Sequence, residues 1–183
     1  MLILLLLFLL NKLMRLQLST NSDIHKILQI INDAKVYLKS QKIDQWQHGY
    51  PNKTQIERDI GNNESYVLAN DANQVIATSM FSIRPEPTYK FIDGKWKIKE
   101  SEKYGVIHRL AIDKNHRKKG IASFILNEFH QLLKKQHIRS LKIDTHEDNH
   151  EMQYLVKKLG YVYCGIIYTE YNAKRFAFEK VIF

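Results

Sequence analysis

Apolar positions along this chain recur at two periods, and the switches between them mark its elements. Ile24, Ile27, Leu28, Ile31, Ala34, Tyr37 and Leu38 fall at helical spacing behind the capping pair Ser22-Asp23, which predicts a long first helix. The stretch QWQHGYPN breaks that pattern at Gly49 and Pro51 and reads as a loop. Asn52 or Thr54 can cap a short second helix running to Ile60, closed by Gly61 and Asn62. Strand-like runs occupy 15–19, 65–69, 75–83, 104–112, 140–145, 161–169 and 175–182. The runs at 65–69 and 75–83 are joined by NDANQ, a hairpin signal. Residues 85–103 are polar around FIDGKWKI, where Asp93-Gly94 predicts an inserted hairpin with a type I′ turn. Ile121, Phe124, Ile125, Leu126, Phe129, Leu132 and Leu133 form the apolar side of a third helix, and residues 152–159 read as a fourth. The resulting order, β-α-α-β-β-β-α-β-α-β-β, predicts an α/β fold with a mixed central sheet flanked by helices.

At 183 residues the chain suits one domain, expected over 14–183. Hydrophobic residues at 44% and charged residues at 26% exclude a disordered chain. Lys and Arg exceed Asp and Glu by 28 to 19, a net charge of +9, which favours a phosphate-bearing partner such as a nucleotide cofactor, nucleic acid or an anionic membrane. The lone cysteine, Cys164, excludes an internal disulfide framework or a Cys-rich metal site and reads as a buried, inert thiol in YVYCGII. It also fits a reducing, cytoplasmic setting. The N-terminal run MLILLLLFLL is interrupted by Asn11, Lys12 and Arg15, short of the roughly 20 apolar residues of a spanning helix. It reads either as an extension ahead of a true start at Met14 or as a short membrane anchor.

The most informative segment is IHRLAIDKNHRKKGIASFILNEF, in which a strand feeds a basic loop that opens a long helix. The first turn of such a helix carries unpaired N–H groups and a positive dipole end. Gly120 and Ala122 keep bulky side chains out of the way, so phosphate oxygens can approach the amides, and Arg117, Lys118 and Lys119 add charge.

These residues resemble the GNAT acetyltransferases. R-K-K-G-I-A, as Arg117, Gly120 and Ala122, matches that family's R/Q-x-x-G-x-G/A motif. The preceding Arg109 to Ile112 looks like its central strand, and Asn149 through Gly160-Tyr161 is similar to its N-x₁₀-G-F/Y segment. The resemblance implies N-acetylation with acetyl-CoA as co-substrate, held between the strands at 106–112 and 140–145, which splay apart in that fold. It implies pyrophosphate on the amides from Lys118 through Ile121 and Ala122 to Ser123, pantetheine along Leu110, Ala111 and Ile112, and Asn149 near the cofactor arm. An amine would then attack the thioester directly, with a strand N–H steadying the oxyanion. Many relatives carry an acidic Tyr four residues before the last Gly; here that position is Val156. Either the thiolate leaves without a protein acid, or Tyr161, Tyr163 or Tyr168 serves; Tyr161 is taken as the candidate.

His108 is the candidate base, able to relay the amine proton through water. Strand alternation would point it to the same side as Leu110. Trp46 and Tyr50, in the loop between the first two helices, are expected to wall the acceptor site, with Trp96 folding over the same mouth. HEDNH, from His146 to His150, fits a zinc pattern only if both histidines ride one helix. Asp148 and Asn149 are helix caps instead, so no metal is expected. The expected partners are acetyl-CoA and a small or peptidyl amine, in a monomer or homodimer. A ribosomal protein or aminoacyl-tRNA as acceptor, and an acyl-CoA-binding module without catalysis, are the alternatives.

Overall fold

The computed structural model describes residues 14–183, so the apolar N-terminal run lies outside the described residues. Eight strands form one sheet: β1 (Arg15–Leu18), β2 (Ser65–Ala69), β3 (Val75–Ser82), β4 (Asp93–Gly94), β5 (Gly105–Ile112), β6 (Ser140–Thr145), β7 (Val162–Tyr168) and β8 (Lys174–Val181). Four helices accompany them: α1 (Ile24–Ser40), α2 (Lys53–Gly61), α3 (Ile121–Lys135) and α4 (His150–Lys158). The strand order is β1-β2-β3-β5-β6-β8-β7-β4, and every adjacent pair is antiparallel except β5 with β6. Among the described residues, no helix is long and apolar enough to cross a membrane.

Neighbouring residues on a strand point to opposite faces, and the core divides accordingly. Leu68, Ile107, Leu141 and Phe178 pack with Ile125, Phe129 and Leu133 of α3 and Val156 of α4. Phe81 stacks on Phe129 with ring centroids 4.4 Å apart. Val67 turns to the other face, where Ile27 and Ile31 of α1 and Ile56 of α2 cover it. Further along that second face, Val106, Ile167 and Ala177 pack beneath Tyr89, with Ile92, Trp96 and Tyr104 against them. One sheet face thus carries α3 and α4. The other is shared between the α1–α2 pair and the segment 83–104, and a seam runs between those two covers.

The expected hairpin at 85–103 is not what forms. Asp93 and Gly94 are a two-residue edge strand against β7, with Gly94 opposite Gly165. A Cβ on Gly94 would stand 2.1 Å from the Cys164 carbonyl oxygen, and one on Gly165 would stand 2.2 Å from that of Asp93. Gly94 therefore serves close backbone contact between strands rather than a tight turn. Trp96 is used locally too. Its Nε1–H donates to the Tyr89 carbonyl at 2.9 Å, and its ring lies 4.2 Å from the ammonium of the buried Lys142.

Candidate active site

The ladder between β5 and β6 begins at Gly105/Leu141 and ends at Ile107/Ile143, whereas β5 continues to Ile112. Beyond Ile107 the two strands part, and a cavity of about 590 Å³ opens along the unpaired stretch. On its other edge β5 keeps its ladder with β3, where Thr78 to Met80 on β3 spans Ala111 to His108 on β5. Three steps on β5 therefore match two on β3, which is a β-bulge. Arg109, within it, adopts φ +55°, rare for a residue with a side chain.

The bulge overturns the expected orientation of His108. Ile107 belongs to the α3 core, and Leu110 and Ile112 pack against that same core, so the alternation slips by one between 107 and 110. His108 and Arg109 both face the opposite side. The His108 Nε2 lies 3.0 Å from Glu86 Oε2 and its Nδ1 lies 3.4 Å from Asp144 Oδ1. Asp144 also accepts the Tyr89 hydroxyl at 2.7 Å. Burial alone would raise the Glu86 carboxyl, but the contacts with His108 and Thr88 outweigh it and hold its pKa at about 2. The Arg109 guanidinium donates to both oxygens of Asp59 on α2, at 2.7 and 2.8 Å, and to the Tyr50 hydroxyl. Gln55 completes the set, donating to Asp59 at 2.8 Å.

The phosphate-loop residues lie at the α3 end of the cavity. Gly120 is the residue before α3, at φ +78°, and α3 begins without a side-chain cap. Leu110, Ala111, Ile112, Arg117, Lys118, Gly120, Ile121, Ala122 and Ser123 line the cavity; Lys119 does not. The Arg117 guanidinium lies 4.4 Å from the Tyr37 ring centroid, and the Tyr37 hydroxyl donates to Glu151 of α4 at 2.8 Å, joining α1 to α4 across the opening. Asn149 lines the cavity and caps α4 by accepting from the Met152 N–H, while its amide donates to Gln45 at 2.9 Å. His146 lies between β6 and α4 and His150 opens α4, so the two histidines do not share a helix.

Trp46 and Tyr50 line the cavity, but Trp96 does not. Tyr161 is also elsewhere. Its backbone N–H bonds back to the Val156 carbonyl at 3.0 Å, and its ring turns into the core, where its hydroxyl meets His130 Nε2 at 2.9 Å. Burial raises its pKa well above the usual tyrosine value. Tyr161 thus has no route to a proton in the cleft, and neither Tyr163 nor Tyr168 lines it; the tyrosines that do are Tyr37, Tyr50 and Tyr171. The sequence reading missed Glu86, Asp144, Tyr171 and Arg175. Glu86 lies in the segment taken for a hairpin, and the others are brought to the cleft by long-range strand pairing that leaves no local pattern.

The chain matches the family described as Acetyltransferase (GNAT) family over residues 25–161. A GNAT-family acetyltransferase from Streptococcus agalactiae 2603 shares 30% sequence identity with a TM-score of 0.81, over 92% of this chain and 95% of that one. Two more distant structures show the same fold. An acetyltransferase of the GNAT family from Listeria monocytogenes 4b F2365 has 16% identity and a TM-score of 0.73, over 92% of this chain and 94% of that one. An N-acetyltransferase from Staphylococcus aureus Mu50 has 19% identity and a TM-score of 0.65, over 93% and 99%. No curated protein matches the chain in sequence. With its mixed sheet, parted β5 and β6 and glycine-led α3, the protein belongs to the GNAT acetyltransferase family.

Proposed function

We propose that the protein transfers the acetyl group of acetyl-CoA to a primary amine by direct attack within a ternary complex. The observation that carries this reading is the parting of β5 from β6 beside the uncapped start of α3. It leaves strand edges for an extended pantetheine arm and free helix amides for a pyrophosphate in one continuous cleft. Ile121, Ala122 and Ser123 would present those amides, with Arg117 and Lys118 adding charge. Leu110 to Ile112 would pair with the arm, and an N–H of that stretch would meet the developing oxyanion.

Glu86 and Asp144 attract an incoming ammonium and orient the His108 ring, and His108 takes one proton from the ammonium through cleft water to free the amine. The amine nitrogen then forms a bond to the thioester carbon, the C–S bond breaks, and the nitrogen loses its second proton to water as the thiolate takes one up from water. Neither Val156 nor Tyr154 of α4 protonates the leaving thiolate, because Val156 is buried in the core and Tyr154 is exposed away from the cavity lining. The test is thiol release from acetyl-CoA with a panel of amines, for the native protein and His108→Gln. Loss of a base costs on the order of 10²–10⁴ in rate. A folded variant should therefore show kcat/KM for the amine lowered by that range, a flattened pH–rate profile and an unchanged KM for acetyl-CoA. Near-normal turnover in His108→Gln would remove His108 from the mechanism, and no thiol release with any amine would remove the activity.

A further inference from the structure

Arg175, on β8, is 4% exposed. Its Nη1 donates to the Lys174 carbonyl at 2.7 Å, and among the described residues no carboxylate lies within 4.0 Å of it. Of the other arginines along the same cavity, Arg109 has Asp59 and Arg84 has Glu64, while Arg58 is exposed to solvent and Arg117 donates to the Asp33 carbonyl and lies over the Tyr37 ring. The carboxylates around Arg175 are committed elsewhere or stand off. Asp44 binds His48, Glu147 binds Lys174, and Asp144 holds Tyr89 and His108, while Glu170 lines the cavity beyond salt-bridge distance. A guanidinium keeps its charge in proteins, and burying it without an anion is costly. A fold that retains such a group at a cavity wall has left a place for an anion from outside.

The position of Arg175 separates that anion from the cofactor phosphates. Phe176 and Phe178 pack toward α3, so Arg175 and Ala177 face the other side of the sheet, with His108. Ala177 is the ladder partner of Asp144, which places Arg175 two strand steps, about 7 Å, beyond the partner of the residue that touches His108. Trp46, Tyr50 and Tyr171 share the cavity wall with it. One part of this wall therefore presents carboxylates and an imidazole, and another presents the buried guanidinium of Arg175 with no carboxylate beside it among the described residues.

We infer that the acceptor is an amine that also carries a carboxylate, of amino-acid size, with Arg175 gripping the carboxylate while the amine faces Glu86, Asp144 and His108. The inference rests on the amine-acetylation reading and narrows it. The planar fork of a guanidinium fits the two oxygens of a carboxylate, which an amide or a bare alkylamine does not offer. A protein N-terminus or an aminoacyl-tRNA would bring a peptide or ester carbonyl to Arg175 in place of a carboxylate.

The test uses the full chain and the probes glycine, β-alanine, 4-aminobutanoate and 5-aminopentanoate, each paired with its primary amide. Binding is measured by calorimetry, and thiol release from acetyl-CoA is measured separately. At least one acid should bind ten-fold or more tightly than its amide, and the best chain length reports the spacing. Arg175→Gln should erase that preference while CoA binding, which does not involve this face, stays as in the native protein; Arg175→Lys should keep part of it. Equal affinity for acid and amide across the series, including no binding by either, overturns the inference on the native protein alone, whatever the variants do. So does a preference that survives in Arg175→Gln. A binding preference without thiol release from any amine would sustain the carboxylate site and sink the acetyltransferase reading.

Discussion

Replacing Asp59 with Asn tests whether the ion pair behind β5 holds the bulge in place. The substitution keeps the shape of the side chain and removes its charge. The Asp59 and Arg109 side chains are 2% and 7% exposed, and both carboxylate oxygens are engaged by the guanidinium. Burial works against the ionised carboxylate and raises its pKa, and Arg109 offsets part of that cost, so the intact pair adds little net stability. Breaking it is another matter, because a buried guanidinium is left without an anion. That loss is typically about 3–5 kcal/mol, and the amide can still accept one hydrogen bond, so about 3 kcal/mol is expected. For a domain of this size it corresponds to a drop in Tm of roughly 6–12 °C. Urea unfolding at neutral pH measures it. The double variant Asp59→Leu/Arg109→Met should be no less stable than Asp59→Asn, since it buries no unpaired charge, although residue 109 still bears the left-handed backbone cost of about 1–2 kcal/mol. If Asp59→Asn lies within about 0.5 kcal/mol of the native protein, a range typical of uninvolved surface positions, the pair does not anchor the strand.

Three further outcomes are expected. Burial, followed by Lys180 and Lys134, holds the His130 pKa at about 4 against 6.5 for the free side chain, so the unfolded chain takes up a proton first as pH falls. Unfolding free energy should accordingly decline by up to about 3 kcal/mol between pH 6.5 and 4, and His130→Gln should flatten that slope; an unchanged slope would mean another group is responsible. Gly120→Ala meets no atom within 4 Å but must adopt φ +78°, so it should lower stability by about 1–2 kcal/mol and weaken CoA binding as the loop relaxes; native values for both would show that the loop does not need a glycine. Gly165→Ala should free β4 from the sheet edge, seen as faster proteolysis within 85–103 with the α3 core intact, and native resistance would contradict the close contact with Gly94.

What the sequence made legible was local. The apolar stripe of α1, the Asn52 cap of α2 and the Asn149 cap of α4 all rest on residues within one or two turns of each other. The phosphate loop was readable for the same reason, since Gly120 and α3 are adjacent. Asp93-Gly94 misled because the dipeptide that favours a tight turn also suits two backbones in close contact, and only the partner strand tells them apart. The orientation of His108 misled because alternation assumes an even strand, while the extra residue is defined by β3, some thirty residues earlier. Trp96 was expected at the cleft mouth, yet it covers Lys142, an apolar-looking strand position occupied by a lysine. Arg175 carried no signal at all, because its significance lies in the partner it lacks.

The bulge at Arg109 acts as a frameshift in the inside-outside pattern of β5. Upstream of it, odd-numbered Ile107 points toward α3; downstream, even-numbered Leu110 and Ile112 do. The length of this strand is therefore as constrained as its composition. Deleting either of the two residues between 107 and 110, His108 or Arg109, would realign β5 with β3 but remove one of the two side chains that the bulge brings to the same face. The chain could recover regular pairing only by giving up either the Asp59 contact or the Glu86 contact. Conservative exchanges along β5 should be absorbed far more readily than a change of one in its length.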